Sequence, residues 1–204
     1  MSKGKLVVFE GCDGTGKSTM AEMLYDFCVY NRTAAVLSRE PGGTPFGEDC
    51  RDLVFSSGQE PVPYAKAMLM FASRFQLDEY VIKPGINSGK RVILDRYTPS
   101  TAVYDVKNGV YESFVTYINE QFTKPDVIFL LDRPFASSQI VKTNVLGEMD
   151  EEYYEDIRNR YLLLSKNDPK FVKINADQPA VQVLVDVISH LVNNIPSFFE
   201  YELR

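Results

Sequence analysis

Leu6-Val7-Val8-Phe9-Glu10-Gly11-Cys12-Asp13-Gly14-Thr15-Gly16-Lys17-Ser18 carries more structural information than any other stretch of this chain. A short apolar, β-prone run that ends in glycines reads as a buried parallel strand. The residues after it spell G-x-x-x-x-G-K-S. Such glycines let the backbone wrap closely around phosphate oxygens, with successive N–H groups turned inward as an anion nest. The helix that follows adds the positive end of its dipole. Within the cradle, Lys17 reaches the β/γ-phosphates and Ser18 offers a hydroxyl to Mg2+. The pattern arises by chance in about one chain in a hundred of this length, and the strand before it and helix after it make an accident rarer. Gly11, Asp13, Gly14, Thr15, Gly16, Lys17, Ser18 and Thr19 are therefore the candidates for a nucleoside triphosphate site.

Outward from this loop the chain alternates. A helix is predicted from Lys17 to about Tyr30, with Met20, Met23, Leu24 and Phe27 on one face. Further strands are predicted at Ala34 to Leu37, Arg91 to Leu94, Val127 to Leu131 and Phe171 to Ile174. Pro41-Gly42-Gly43 breaks the chain, and a helix is predicted near Glu48 to Phe55. After Pro61 and Pro63 a long helix should run to about Ile82, with Ala65, Leu69, Ala72 and Phe75 at three- and four-residue spacing. The last helix begins near Pro179 and presents Val181, Leu184, Val185, Ile188, Leu191, Val192 and Ile195. Near-continuous apolar strands between helices imply a parallel sheet covered on both faces. The expected fold is a three-layer α/β P-loop NTPase with a five-stranded parallel sheet flanked by helices, residues 1–204 forming one domain.

Composition narrows the partners. Of 204 residues, 45% are hydrophobic and 25% charged, as in a protein that buries a real core. Lys plus Arg is 22 against 28 for Asp plus Glu, a net charge of −6. That argues against a nucleic-acid coat or an anionic-membrane binder, which need a positive surface. Cys12, Cys28 and Cys50 form no C-x-x-C pair, so neither a disulfide framework nor a zinc site is expected. No signal peptide is read at the N-terminus and no apolar stretch approaches membrane-spanning length. A cytoplasmic protein without nucleic-acid or membrane partners is expected. His190, alone in the last helix, and the acidic run from Glu148 to Glu152 read as structural.

A second motif, Asp95-Arg96-Tyr97, follows the strand Val92-Ile93-Leu94. Strand carboxyl ends face the ligand crevice of a doubly wound sheet. A carboxylate there can hold Mg2+, with Ser18, and the adjacent guanidinium suits bidentate phosphate binding. A regulatory NTPase needs one phosphate site; a nucleotide kinase needs a second one, rich in arginine. Arg39, Arg51, Arg74 and Arg96 are available for it. Arg74 interrupts the apolar pattern of its helix, where a solvated surface arginine is the plain alternative.

Together these segments resemble the thymidylate kinases. Phe9 to Thr19 is similar to the family's opening motif, and Arg39-Glu40-Pro41-Gly42-Gly43-Thr44 to its second, the longest and most unusual match. Phe71-Ala72-Ser73-Arg74-Phe75-Gln76, then Asp95-Arg96-Tyr97 with Ser100 and Tyr104, continue it, as do Pro125-Asp126, Leu131-Asp132 and Arg158 before Tyr161-Leu162. The resemblance covers about residues 5 to 190. It implies ATP + dTMP → ADP + dTDP with Mg2+, in a homodimer, for dTTP synthesis. By position it implies that Asp13 contacts the acceptor's sugar and phosphate end, and that Glu40 and Pro41 border its pocket. Arg51 and Arg96 would bind its phosphate, Arg74 the thymine edge, and Tyr104 would crowd the 2′ position. Ser100 and Thr101 would stand near the base.

Two departures accompany the match. Met70 occupies the position where the family stacks a Phe on thymine, and the aromatic sits one place later at Phe71. One residue turns a helix by about 100°, so Phe71 is not a simple replacement. Met70 and Phe71 both enter the acceptor-site candidates, and a differently substituted deoxynucleotide or a deoxynucleoside stays open as acceptor. The family also places a catalytic arginine in the phosphate loop or the lid. Gly14 fills the loop position, and the short lid segment, 137–150, offers only Lys142. Arg158, Lys142 and Arg133 are the candidate cations; Lys17, Arg96 and Asp13 are the other candidate catalytic residues. A non-catalytic nucleotide-binding protein is the rival of a different class.

Overall fold

The computed structural model describes residues 3–56, 58–138 and 150–199. Five parallel strands form one sheet: β1 (Lys5–Glu10), β2 (Ala35–Arg39), β3 (Arg91–Asp95), β4 (Val127–Asp132) and β5 (Phe171–Asn175), in the order β2-β3-β1-β4-β5. Each predicted strand is present; β1, β3, β4 and β5 run one or two residues longer than predicted, while β2 begins one residue later and ends two residues later. The helices are α1 (Lys17–Tyr30), α2 (Pro45–Phe55), α3 (Pro63–Leu77), α4 (Lys83–Asn87), α5 (Thr98–Lys107), α6 (Glu112–Asn119), α7 (Glu151–Asn167) and α8 (Ala180–Asn194). A π-helical turn, Asp78–Ile82, joins α3 to α4.

Alternate strand side chains face opposite sides, and both sides are apolar. Val7, Phe9, Ile93, Phe129 and Leu131 pack under α1 and α8, with Phe9 and Phe129 stacked at 5.5 Å between centroids. Leu6, Val8, Val92, Leu94 and Ile128 meet Phe71, Leu77, Ile82 and Val115 on the other side. Helices on both faces of a parallel sheet give the expected three layers. Register aligns Phe9, Asp95 and Arg39 across β1, β3 and β2. The charged carboxyl ends of three strands therefore meet on one edge of the domain.

Three helix expectations are corrected. α2 starts at Pro45 rather than near Glu48, because Thr44 caps it, its Oγ1 accepting from the Gly47 N–H at 3.0 Å. In α3 the buried residues are Ala67, Phe71, Ser73, Arg74 and Leu77, while Ala65 and Phe75 are exposed. An ion pair inside the protein pulls Arg74 inward and rotates the apolar face with it. In α8, Val183, Val187 and Leu191 are buried but Val181, Val185 and Val192 are exposed. Valines and leucines line more than one side of that helix, so periodicity alone did not choose the buried one.

Candidate active site

Residues 11–16 link β1 to α1, whose first two residues are Lys17 and Ser18. Gly11, Gly14 and Gly16 all have positive φ, and a Cβ at Gly11 would lie 2.6 Å from the Leu131 carbonyl. Gly16 caps α1 without a side-chain acceptor. The first N–H groups of that helix are thus left for a ligand rather than satisfied by a side chain. Lys17 reaches back over the loop: its Nζ donates to the Cys12 carbonyl at 2.7 Å and lies 3.8 Å from Asp13. Burial, then the charge of Arg96, lowers the Lys17 ammonium to about 8. Asp13 and Asp95 act against that shift.

The end of β3 completes this corner. Ser18 Oγ donates to Asp95 Oδ2 at 2.5 Å, while Asp95 Oδ1 is buried without a partner. Arg96 follows with φ at 70°, a left-handed backbone that a non-glycine residue adopts at a cost. Its N–H bonds to the Phe9 carbonyl at 2.9 Å, and its guanidinium pairs with Asp13 and lies over the Tyr104 ring. Burial works against the Asp13 carboxylate, but Arg96 and Lys17 outweigh it and hold that group below the usual range.

Glu10 supports the corner from beneath. Its carboxylate accepts from the Tyr97 N–H at 2.8 Å, Ser100 Oγ at 2.9 Å and the Tyr161 hydroxyl at 2.8 Å. Full burial raises its pKa in spite of Arg96 and these bonds.

A third group lies further along. Arg74, 1% exposed, gives Nε to Glu40 at 2.5 Å, NH1 to Thr101 at 2.9 Å and Asn119 at 2.7 Å, and NH2 to the Tyr97 carbonyl. Burial raises Glu40 to about 7 and Arg74 opposes the shift. The Glu40–Pro41 peptide is cis, and Arg51 donates to the Pro41 carbonyl at 3.2 Å. One cavity of about 1650 Å³ connects the three groups, from Lys17 past Arg96 to Met70 and Arg74. A site for one small ligand usually measures about 300–1,000 Å³. This one has room for two nucleotides, with Arg96 between its ends.

A family model described as thymidylate kinase matches residues 9–188. The chain belongs to the thymidylate kinase family. It is 32% identical to a thymidylate kinase of Legionella pneumophila, over 98% of each chain. It is 34% identical to one of Lactobacillus acidophilus, over 95% of this chain and 96% of that one. The crystal structure of a thymidylate kinase from Ehrlichia chaffeensis superposes with a TM-score of 0.79 at 26% identity, covering 93% of this chain and all of that one.

Most of the residues carried over from the thymidylate kinase resemblance line the shared cavity, among them Asp13, Lys17, Ser18, Glu40, Pro41, Arg51, Met70, Arg74, Asp95, Arg96, Ser100, Thr101 and Tyr104. Phe71 does not. It is buried in the core against Phe114, about one-third of a turn from Met70, and its place among the acceptor contacts is corrected. Arg158 is outside the cavity as well. Asp132 holds its Nε at 2.6 Å and Glu155 its NH1 at 3.0 Å, behind the phosphate loop. These carboxylates keep Arg158 firmly charged. Arg133 lies 3.7 Å from Asp177. Lys142 and most of the 137–150 segment lie outside the described residues.

Sequence reasoning gave no role to Glu10, Asn119 or Asp105. A charged residue closing an otherwise apolar strand was a usable signal for Glu10. Asp105 follows Thr101 by four residues, hence lies on the same helical face. Asn119 gave no signal, since its tie to Arg74 spans 45 residues. Among the described residues no helix is long and apolar enough to cross a membrane.

Proposed function

We infer that the chain transfers the γ-phosphoryl group of ATP to dTMP, giving dTDP and ADP. The single cavity that joins a phosphate cradle to a second, arginine-lined compartment supports this reading best. Phosphoryl transfer asks mainly for positioning and charge neutralisation. In this reading the 11–18 loop and Lys17 hold the triphosphate. Arg96 and Arg51 receive the acceptor's phosphate, with Asp13 orienting Arg96. Arg74 faces the base, Glu40 and Pro41 border it, and Tyr104 crowds the sugar. Two arginines for an acceptor phosphate favour a monophosphate over a bare deoxynucleoside. The test is acceptor-dependent ADP release across dTMP, dUMP, dCMP, dGMP, dAMP and thymidine. Selective turnover of dTMP is expected; ATP binding without turnover for any acceptor would overturn the assignment.

Ser18 and Asp95 fit a divalent cation: a hydroxyl beside a carboxylate with one buried, unpartnered oxygen. Among the described residues no group of three or more ligating His, Cys, Asp or Glu side chains could hold a metal by itself. An ion here would therefore share the triphosphate oxygens, as Mg2+ does. When bound, Mg2+ neutralises charge on the β- and γ-oxygens. Asp95→Asn is expected to lower kcat about 100-fold and raise the Mg2+ needed for half-maximal rate. Initial rates over a Mg2+ titration at fixed ATP measure it; an unchanged response would remove Asp95 from that role.

Met70 lines the acceptor end. Met70→Phe is expected to improve kcat/KM for dTMP about three- to tenfold by stacking on the base, read from steady-state kinetics. No change would mean that this side chain does not face the ring. The family resemblance also supports a cytoplasmic homodimer, and sedimentation measures the oligomeric state.

A further inference from the structure

Asp105 lines the large cavity beside Met70, Arg74 and Tyr104. It is 4% exposed, yet its Oδ2 has no hydrogen-bond partner. Proteins rarely leave a buried carboxylate oxygen unsatisfied, and one that lines a binding cavity is completed by what enters it.

Arg74 supplies the other half. A guanidinium carries five N–H donors. Four are given to Glu40, Thr101, Asn119 and the Tyr97 carbonyl. One N–H remains. Arg74 is near enough to act on the charge of Asp105, while its ion pair is with Glu40. The base end of the cavity thus offers one donor that Arg74 does not give to the protein, and three buried atoms without a partner: Asp105 Oδ2, Glu40 Oε2 and the Tyr104 hydroxyl, of which Glu40 is already engaged by its ion pair with Arg74.

We propose that Asp105 is a specificity-determining residue that accepts the N3–H of the acceptor's pyrimidine while the remaining Arg74 N–H donates to O4. The proposal rests on the dTMP reading above. Thymine and uracil present an acceptor at C4 and a donor at N3. Cytosine presents the reverse: its amino group would face the guanidinium and its N3 lone pair the carboxylate. A buried site built to bond one pattern rejects its inverse strongly, because the site's own groups are left unpaired.

Protonation gives a readout that a packing role would not. Burial raises the Asp105 carboxyl to about 6, while Arg74 and Lys66, both from α3, pull it down. Glu40, in the segment after β2, is the neighbouring carboxyl, and the charge of Asp105 adds to the rise in its own pKa. Above pH 6 Asp105 is an acceptor only. Below it the carboxyl carries a proton and can donate to N3 of cytosine. Preference for dTMP over dCMP should therefore fall as pH drops through about 6, and this step should vanish in Asp105→Asn.

The experiment measures kcat/KM for dTMP, dCMP and 3-methyl-dTMP with ATP, in wild type, Asp105→Asn and Asp105→Ala. Wild type should lose at least about 100-fold on 3-methyl-dTMP, which lacks the N3 proton. Asp105→Ala should raise KM for dTMP about 10- to 100-fold and Asp105→Asn, whose amide oxygen still accepts, by less, with KM for ATP within about twofold of wild type in both. Asp105→Asn should cut the dTMP:dCMP ratio at least about tenfold. If a variant fails to fold, 3-methyl-dTMP and the pH profile of wild type decide. Variants that match wild type, or use of 3-methyl-dTMP as well as dTMP, would overturn this role alone. A wild type inactive on dTMP would overturn it together with the function.

Discussion

Lys17→Ala is expected to reduce turnover at saturating acceptor by about 10²–10³-fold or more, the scale seen when one preorganised charge-stabilising donor is removed. The ammonium is buried and fixed from two sides, by the Cys12 carbonyl and Asp13. It needs no reorganisation to meet a triphosphate. Its lowered pKa, about 8, adds a pH signature. In the free enzyme Lys17 is charged below pH 8 and loses its proton above it. Accordingly, kcat/KM for ATP should fall as pH rises through about 8, and that limb should disappear in Lys17→Ala. Steady-state rates from pH 6.5 to 9.5 measure both, with pH series on each enzyme. Turnover in Lys17→Ala within tenfold of wild type would place the triphosphate elsewhere.

Arg96→Ala is the second large effect. Loss of this guanidinium should cost about 10³-fold or more in kcat/KM for the acceptor, since an arginine that neutralises phosphate charge at the reacting centre is worth that much in related chemistry. It should leave KM for ATP far less changed. The backbone supplies an internal control. At φ 70° alanine is strained, whereas glycine is at ease, a difference of about 1 kcal/mol. Arg96→Gly should therefore melt higher than Arg96→Ala, although both should be equally slow. Equal loss in two variants of unequal stability assigns the effect to the guanidinium. A fast Arg96→Gly would assign it to the backbone.

The parts legible in the sequence were those encoded locally. The 11–18 cradle, the five strands and Asp95-Arg96 each read from a few consecutive residues, and each sits where that reading put it. What escaped was set by partners far along the chain. Arg74 reads as an intruder on an apolar face until Glu40, 34 residues away, pairs with it inside the protein. That pairing turns α3 and sends Phe71 into the core. Arg158 matched a motif, but Asp132 and Glu155 hold it behind the loop. Asp105 has a helical offset from Thr101 that was readable, yet its unsatisfied oxygen is a property of the packed cavity alone.

Asp95 and Arg96 are successive residues at the tip of β3, tied to Phe9 of β1 by register and by the Arg96 N–H. On the proposed roles one serves the donor and the other the acceptor. The spacing between the two reacting nucleotides would then be gauged by a single peptide unit bolted to the sheet. Loop motions could open or close the entrance without stretching that gauge. Changes in solvent viscosity would be felt in nucleotide arrival and departure, and the chemical step in a single turnover would keep its rate.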